Sequence, residues 1–355
     1  MKADLSVLLT GVGAPGTRGA LYALRHNPDG THVRAVGTDA RDGGVGRLWM
    51  DAFYQVPPPE AEGYVESMLS ICRKESIDLV IPQTTRELFT FARHKAAFEA
   101  QGFRVMVSDL EAIAVANNKW ELLKLAEQMN LPHPQFALAR TRAELVECAV
   151  RLGYPANPVV VKPPVSNGMR GFRILKEGAW DLERFLAEKP SGVEITLDDL
   201  LAVVERGPAW PELLVTEYLP GAEYSVDVFA GARSQVAVPR LRKAIRSGIS
   251  FENEMEERAD LIQYSLALGK QIGLRYAFGF QYKLDHQGTA KLLECNPRLQ
   301  GTMVASLFSG ANIIWLGVRE AMSEPPAVDP HAFRPASFHR FWGGVGIHGE
   351  HIDEI

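Results

Sequence analysis

Cysteine is scarce: Cys72, Cys148 and Cys295 are the three in a chain of 355 residues, and no two form a C-x-x-C pair. That excludes a zinc site or a disulfide framework as the organising device, and a reducing, cytoplasmic setting is the expectation. An excess of one charge is lacking too. The formal net charge of -5 gives no reason to expect a nucleic-acid or membrane-surface binder. Glu324 to Ile355 contains prolines and glycines but no repeat or low-complexity tract. The apolar run Leu5 to Leu9 passes directly into glycines without a cleavage pattern, so it reads as a first strand and not a signal peptide. Leu299 to Val318 carries no charge and has the length of a membrane span. Its Gln300, Thr302, Ser306, Ser309, Gly310 and Asn312 argue instead for a buried helix and loop. What remains, at 46% hydrophobic and 23% charged residues, is an ordinary globular composition long enough for two or three domains.

The amino-terminal part alternates between strand and helix. Leu5 to Thr10 is a buried strand, Gly11-Val12-Gly13-Ala14-Pro15-Gly16 a turn, and Arg18 to Arg25 a helix. Val33 to Gly37 is the next strand, with Asp39 at its end. A G-x-G-x-x-G after a strand with an acid at that distance is the mark of NAD binding. The plain alternative is a tight strand-to-helix turn, and Pro15 and Arg18 are unusual for a dinucleotide site. Further strands at Leu79 to Pro82 and Arg104 to Val107, with helices Tyr64 to Glu75 and Arg86 to Ala100, complete a small doubly wound parallel sheet. Helices Ser108 to Ala116 and Lys119 to Met129 follow. Leu131-Pro132-His133-Pro134 then breaks the chain and marks a boundary.

Two later stretches carry chemistry. Val159-Val160-Val161-Lys162 is a short strand ending in lysine, followed by Ser166-Asn167-Gly168-Met169-Arg170-Gly171. Gly168 and Gly171 let backbone amides approach phosphate, and Lys162 supplies a charge for the same oxygens. Arg275 to Leu284 alternates like a half-buried strand, and Lys291 to Asn296 reads as its partner. With a loop of about four residues between Asp285 and Ala290, Gln281 sits opposite Glu294, and Asn296 shares its face. Two amide oxygens and a carboxylate suit magnesium that also holds phosphate oxygens. Arg298 adds a cation for an anionic substrate. The plain alternative is an exposed strand residue beside an Asn-Pro turn. Arg240, Arg242, Lys243 and Arg246 form a basic cluster, either a solvated face or, at Arg246, a contact to an acyl phosphate or carboxylate.

The string Glu294-Cys295-Asn296-Pro297-Arg298 resembles the metal-binding signature of the ATP-grasp superfamily, and Gln281 as upstream ligand resembles the carbamoyl-phosphate synthetase large subunit. The resemblance spans Leu5 to Gly317. It implies a Rossmann-like pre-ATP-grasp domain over 1–110, linker helices and a small lobe over 111–212, a large lobe with the metal site over 213–330, and a tail over 331–355. The fold class is thus α/β and α+β, a doubly wound parallel-sheet domain followed by a two-lobed ATP-grasp fold. It also implies nucleotide contacts from Lys119, Lys162, Ser166, Gly168 and Gly171. Glu217 and Leu219 would meet the adenine edge, and Glu223 the ribose. Thr84, Thr85 and Glu87 are either substrate contacts or a helix cap. An Asp commonly precedes the first lysine, where this chain has Asn118.

The implied cofactors are ATP and Mg2+, with Mn2+ as the alternative metal, and the implied reaction is phosphoryl transfer to a carboxylate followed by attack of an amine. The partners are then a small-molecule carboxylate and amine, with no nucleic acid, no membrane and a homodimer left open. The chain resembles one half of the large subunit, and Leu299-Gln300-Gly301-Thr302 departs from the second arginine usual there. A stand-alone carboxylate-amine ligase, with an amino acid as one candidate substrate, is therefore favoured over carbamoyl phosphate synthesis. Two other classes are left open, an NAD-dependent oxidoreductase resting on Gly11 to Gly16 and Asp39, and a non-catalytic nucleotide-binding subunit.

Overall fold

The computed structural model describes residues 4–354 apart from 43, 167, 179–181, 188–191, 325, 327, 329–332 and 349–350. The chain forms two compact units, the first from residues 1–116, 223–281 and 295–355, the second from 117–222 and 282–294.

In the first unit, five parallel strands lie in the order Ala52–Gln55, His32–Asp39, Asp4–Thr10, Leu79–Ile81 and Arg104–Val105. Runs such as Val7, Leu8 and Leu9, all at 0% exposure, are the continuous apolar strands that a sheet covered on both faces requires. Sequence order reverses between the neighbours Asp4–Thr10 and Leu79–Ile81. The crevice beyond their carboxyl ends is where ligands bind in sheets of this kind.

A larger antiparallel sheet runs Ala290–Asn296, Tyr276–Leu284, Glu223–Ala230, Gln235–Arg246, Ile249–Met255 and Ala336–His339. The helix Ala259–Ile272 packs on it through Leu261 and Leu268, both fully buried. Gly269 is needed for that contact, because a Cβ there would come within 2.8 Å of the Phe278 ring. Trp315 and Val318 of the helix Ile313–Ala321 share one core with Leu9, Leu24, Phe229 and Val238. Among the described residues no helix is long and apolar enough to cross a membrane. The uncharged stretch after Arg298 is the short helix Ala305–Phe308, a turn and the start of Ile313–Ala321.

The second unit centres on a sheet ordered Phe136–Ala139, Leu213–Glu217, Val159–Lys162, Arg173–Leu175 and Glu194–Ile195. Helices Arg142–Arg151 and Leu197–Val204 begin at Thr141 and Thr196, whose hydroxyls accept from the amides of Glu144 and Asp199, as N-caps do. The core contains Leu145, Val159, Val161, Val215 and Leu201.

Two sequence readings change, and the basic cluster gains an element: it lies along the strand Gln235–Arg246. The segment set apart as a tail contains Ala336–His339, paired to Ile249–Met255, and a ribbon of Val345–His348 with His351–Glu354. The turn of the carboxyl-proximal hairpin is one residue tighter than expected. The Asp285 amide donates to the Thr289 carbonyl at 3.0 Å, leaving three residues in the loop, with Gly288 at φ 81°. That is the positive φ a three-residue hairpin loop demands. Ala290, Leu292 and Cys295 are the buried residues of the next strand, so its alternation slips at the half-buried Leu293 and Glu294, and a plain count outward from the turn does not hold.

Candidate functional site

Eight of the singled-out residues lie in the second unit. The helix Lys119–Gln128 starts at Asn118, whose Oδ1 accepts from the amides of Trp120 at 3.0 Å and Glu121 at 3.3 Å. Asn caps a helix as well as Asp does, so this departure from the family pattern leaves the helix start intact. The cap sets Lys119 against the glycine-bearing loop. Its amide donates to the Pro164 carbonyl at 2.9 Å, and its ammonium donates to the Ser166 carbonyl at 2.8 Å.

Lys119 is 6% exposed and Lys162, at the end of its strand, 7%. A lysine is rarely so buried without a compensating anion. For Lys119 that anion is Glu294, whose Oε2 lies 3.4 Å from Nζ while the side chain keeps 29% exposure. Gly168 and Gly171 have φ of 60° and 75°. A Cβ on Gly171 would stand 2.6 Å from Pro163 Cδ, so this close turn requires glycine.

Glu217 ends the strand Leu213–Glu217. Pairing of Leu214 with Lys162 and of Glu217 with Val159 puts the side chains of Glu217 and Lys162 on opposite faces of the sheet. Glu217 Oε1 accepts from the Gln135 amide at 3.0 Å and from Lys291 Nζ at 2.7 Å. Lys291, which also stands 3.5 Å from Asp285, enters the sequence reading only as the start of a strand and not as a site residue. The available signal was its place between the buried Ala290 and Leu292. Leu219 is buried at 4% exposure.

The remaining singled-out residues belong to the first unit. Glu223 pairs with Arg242, which also donates to the Gly248 carbonyl at 2.7 Å. Arg240, 1% exposed, donates twice to the fully buried Asp227, at 2.6 and 3.0 Å, and also to Asn253 and Gln300. Lys243 pairs with Glu254 at 2.6 Å. Only Arg246 of the cluster lacks a carboxylate partner among the described contacts, and its guanidinium stands over Phe251 at 4.8 Å and Trp342 at 5.8 Å. The solvated-face reading of this cluster therefore fails for Arg240 and Arg242, which are buried and paired.

Arg298 donates from Nε to Thr85 Oγ1 at 3.1 Å, from Nη1 to the Leu299 carbonyl at 2.7 Å and from Nη2 to Asn296 Oδ1 at 3.2 Å. It thereby faces the start of the helix Thr85–Glu99, beside the carboxyl end of Leu79–Ile81. Thr84 and Glu87 form that helix's capping box. Glu87 also accepts from Thr10 at 2.7 Å and Tyr64 at 3.1 Å. These bonds favour its charged form, but burial outweighs them and pushes the carboxyl above its ordinary range. Thr84 and Glu87 are thus a helix cap, and Thr85 is the residue tied to Arg298. In the glycine-rich turn, Asp39 Oδ2 accepts from the Gly13 amide at 2.9 Å. The acid proposed for a ribose is turned onto the very loop whose amides a dinucleotide would need.

Among the described residues no cluster of three or more His, Cys, Asp or Glu could hold a metal. The expected donor set has one carboxylate, Glu294, with Gln281 and Asn296 as amides. Gln281 and Asn296 are half-buried in the first unit and Glu294 in the second. Hard oxygen donors with so little charge fit magnesium when phosphate oxygens supply the remaining ligands. An ammonium beside Glu294 reinforces that condition, since only added negative charge offsets it.

Residues 209–340 match the family described as ATP-grasp in the biosynthetic pathway with Ter operon, and residues 7–107 match the PylC-like N-terminal domain. The carbamoyl phosphate synthase large chain of Rubrobacter xylanophilus is 29% identical over 271 residues, 73% of this chain. The chain spans 24% of that curated relative's length. N5-carboxyaminoimidazole synthetase of Staphylococcus aureus, solved with ADP, superposes with a TM-score of 0.70 at 13% identity, covering 95% of this chain and 82% of that one. The biotin carboxylase domain of Hydrogenobacter thermophilus 2-oxoglutarate carboxylase, solved with MgADP, ADP and bicarbonate, gives 0.70 at 15% identity, covering 93% and 72%. At these identities the likeness establishes the fold.

Proposed function

Because the chain joins a PylC-like amino-terminal domain to an ATP-grasp domain, we propose that it transfers the γ-phosphoryl group of ATP to a small carboxylate, whose acyl phosphate is then attacked by an amine. The observation that carries this reading is the loop after Lys162, fastened by the buried Lys119, with Glu294 against the same ammonium. Phosphoryl transfer asks little covalent chemistry of a protein and depends on positioning and charge. Lys119 and Lys162 hold phosphate oxygens, and the loop amides of Ser166, Gly168 and Gly171 cover them. The hinge from Glu217 to Leu219 receives the adenine through its backbone, the Glu217 carboxylate being engaged by Lys291. Glu223 is assigned to the ribose hydroxyls.

Magnesium, when bound, supplies electrophilic neutralisation of the phosphate charge, and Gln281, Glu294 and Asn296 are the ligands assigned to it. Arg298 holds the acid's anionic end beside the turn that carries Thr85. Arg246, stacked on two rings, is assigned to the acyl phosphate. The carboxylate oxygen attacks the γ-phosphorus and ADP leaves. The amine nitrogen then attacks the acyl carbon, and the products are phosphate, a proton and the new C–N bond.

The test is ADP release on mixing the full chain with ATP, magnesium and panels of acids and amines. Turnover that needs one acid and one amine together supports the reading. ATP binding with no turnover across amino acids and other small acids overturns it in favour of a non-catalytic nucleotide subunit. Full activity in a Glu294→Ala variant overturns the metal assignment.

A further inference from the structure

Resting on that nucleotide-site reading, we propose that Lys119 and Glu294 form an exchangeable ion pair that couples divalent-cation binding to nucleotide binding. Both residues lie in the second unit. Lys119 is held rigidly, by its own amide on Pro164, by its ammonium on the Ser166 carbonyl and by the cap at Asn118. Its ammonium cannot swing out to solvent without giving up a 2.8 Å bond. The carboxylate is the more exposed partner, 29% against 7% for the lysine side chain. Charge balance at this point is therefore local.

A cation that takes Glu294 alone leaves a buried ammonium beside two new positive charges. A phosphate that takes Lys119 alone sets its negative charge against the carboxylate. When both arrive, each member of the pair changes partner and every charge stays compensated. Two ligands that each remove the other's electrostatic penalty bind with positive cooperativity, and linkage makes the factor the same in both directions.

The experiment uses the intact chain, Mn2+ as cation probe, followed by its free-ion electron paramagnetic resonance signal, and a non-hydrolysable ATP analogue followed by calorimetry. Wild-type protein binds the analogue weakly in chelator and Mn2+ weakly alone, and a coupling factor on the order of 10 is expected, within the ordinary range. Glu294→Gln keeps shape and removes charge. It is expected to bind the metal-free analogue several-fold tighter than wild type, the reverse of what loss of a simple contact does. Lys119→Met is expected to bind Mn2+ alone several-fold tighter while losing analogue affinity.

Metal-free analogue affinity that is unchanged or weakened in Glu294→Gln, together with unchanged Mn2+ affinity in Lys119→Met, overturns the pair exchange alone. Failure of wild-type protein to bind any nucleotide overturns the ligase reading and this inference with it. Circular dichroism melts of both variants show that the comparison is made on folded protein.

Discussion

Asp227→Ala is expected to be among the most destabilising substitutions in this chain. Arg240 is 1% exposed and Asp227 fully buried, and two of the guanidinium's four hydrogen bonds end on that carboxylate. Removing the carboxylate strands a cation in the sheet, a change that costs about 3–5 kcal/mol. Removing both charges is different, because an apolar pair of similar volume often replaces a buried ion pair at little loss. In Asp227→Leu with Arg240→Met, Asn253 keeps the Ser250 hydroxyl as donor, whereas Gln300 Oε1 loses the guanidinium that it accepts from. One stranded acceptor costs about 1–3 kcal/mol, so the double variant should recover roughly half of the single variant's loss. Urea unfolding followed by circular dichroism measures both, with equal m-values as the check that the same transition is compared. A loss under about 1 kcal/mol for Asp227→Ala, or a double variant no more stable than the single, would refute the reasoning.

Two further outcomes follow from the site. Lys162→Met retains the aliphatic stem and removes the charge, so nucleotide affinity should fall by about 10-fold or more, as for a lost charged hydrogen bond of about 1.5–3 kcal/mol; titration with an ATP analogue checks this, and unchanged affinity removes Lys162 from the phosphate site. Glu87 has its carboxyl pushed above the unfolded value near 4.5, so the folded state holds a proton that the unfolded state has lost. Its contribution to stability is therefore present below that value and fades as pH rises through the folded one. The difference in stability between wild type and Glu87→Gln should shift in the mutant's favour as pH rises through this window, and a difference flat with pH would show that Glu87 ionises normally.

Local physics made much of this chain legible. Continuous apolar runs such as Leu5 to Thr10 and Val159 to Lys162 need no distant partner to be read as buried strands, and the helix start after Asn118 follows from a side chain reaching two residues along its own backbone. The order of lysine, glycine loop, hinge glutamate and Glu-x-Asn-Pro-Arg is likewise written in the chain, and so is the superfamily resemblance drawn from it. Only tertiary structure decided what the charges do. Arg240, Arg242, Lys243 and Arg246 look alike in sequence, yet their surroundings differ because antiparallel pairing brings Glu223 and Asp227 to two of them and two aromatic rings to the last. The strand Ala336–His339 alternates over only four residues, too few to mark a strand by themselves, and its place is set by its partner Ile249–Met255. Lys291 became visible beside Glu217 for the same reason. A hydrogen bond or ion pair between residues dozens of positions apart is set by chain folding and leaves no period in the sequence, whereas a cap, a turn or a buried run is settled within a few residues.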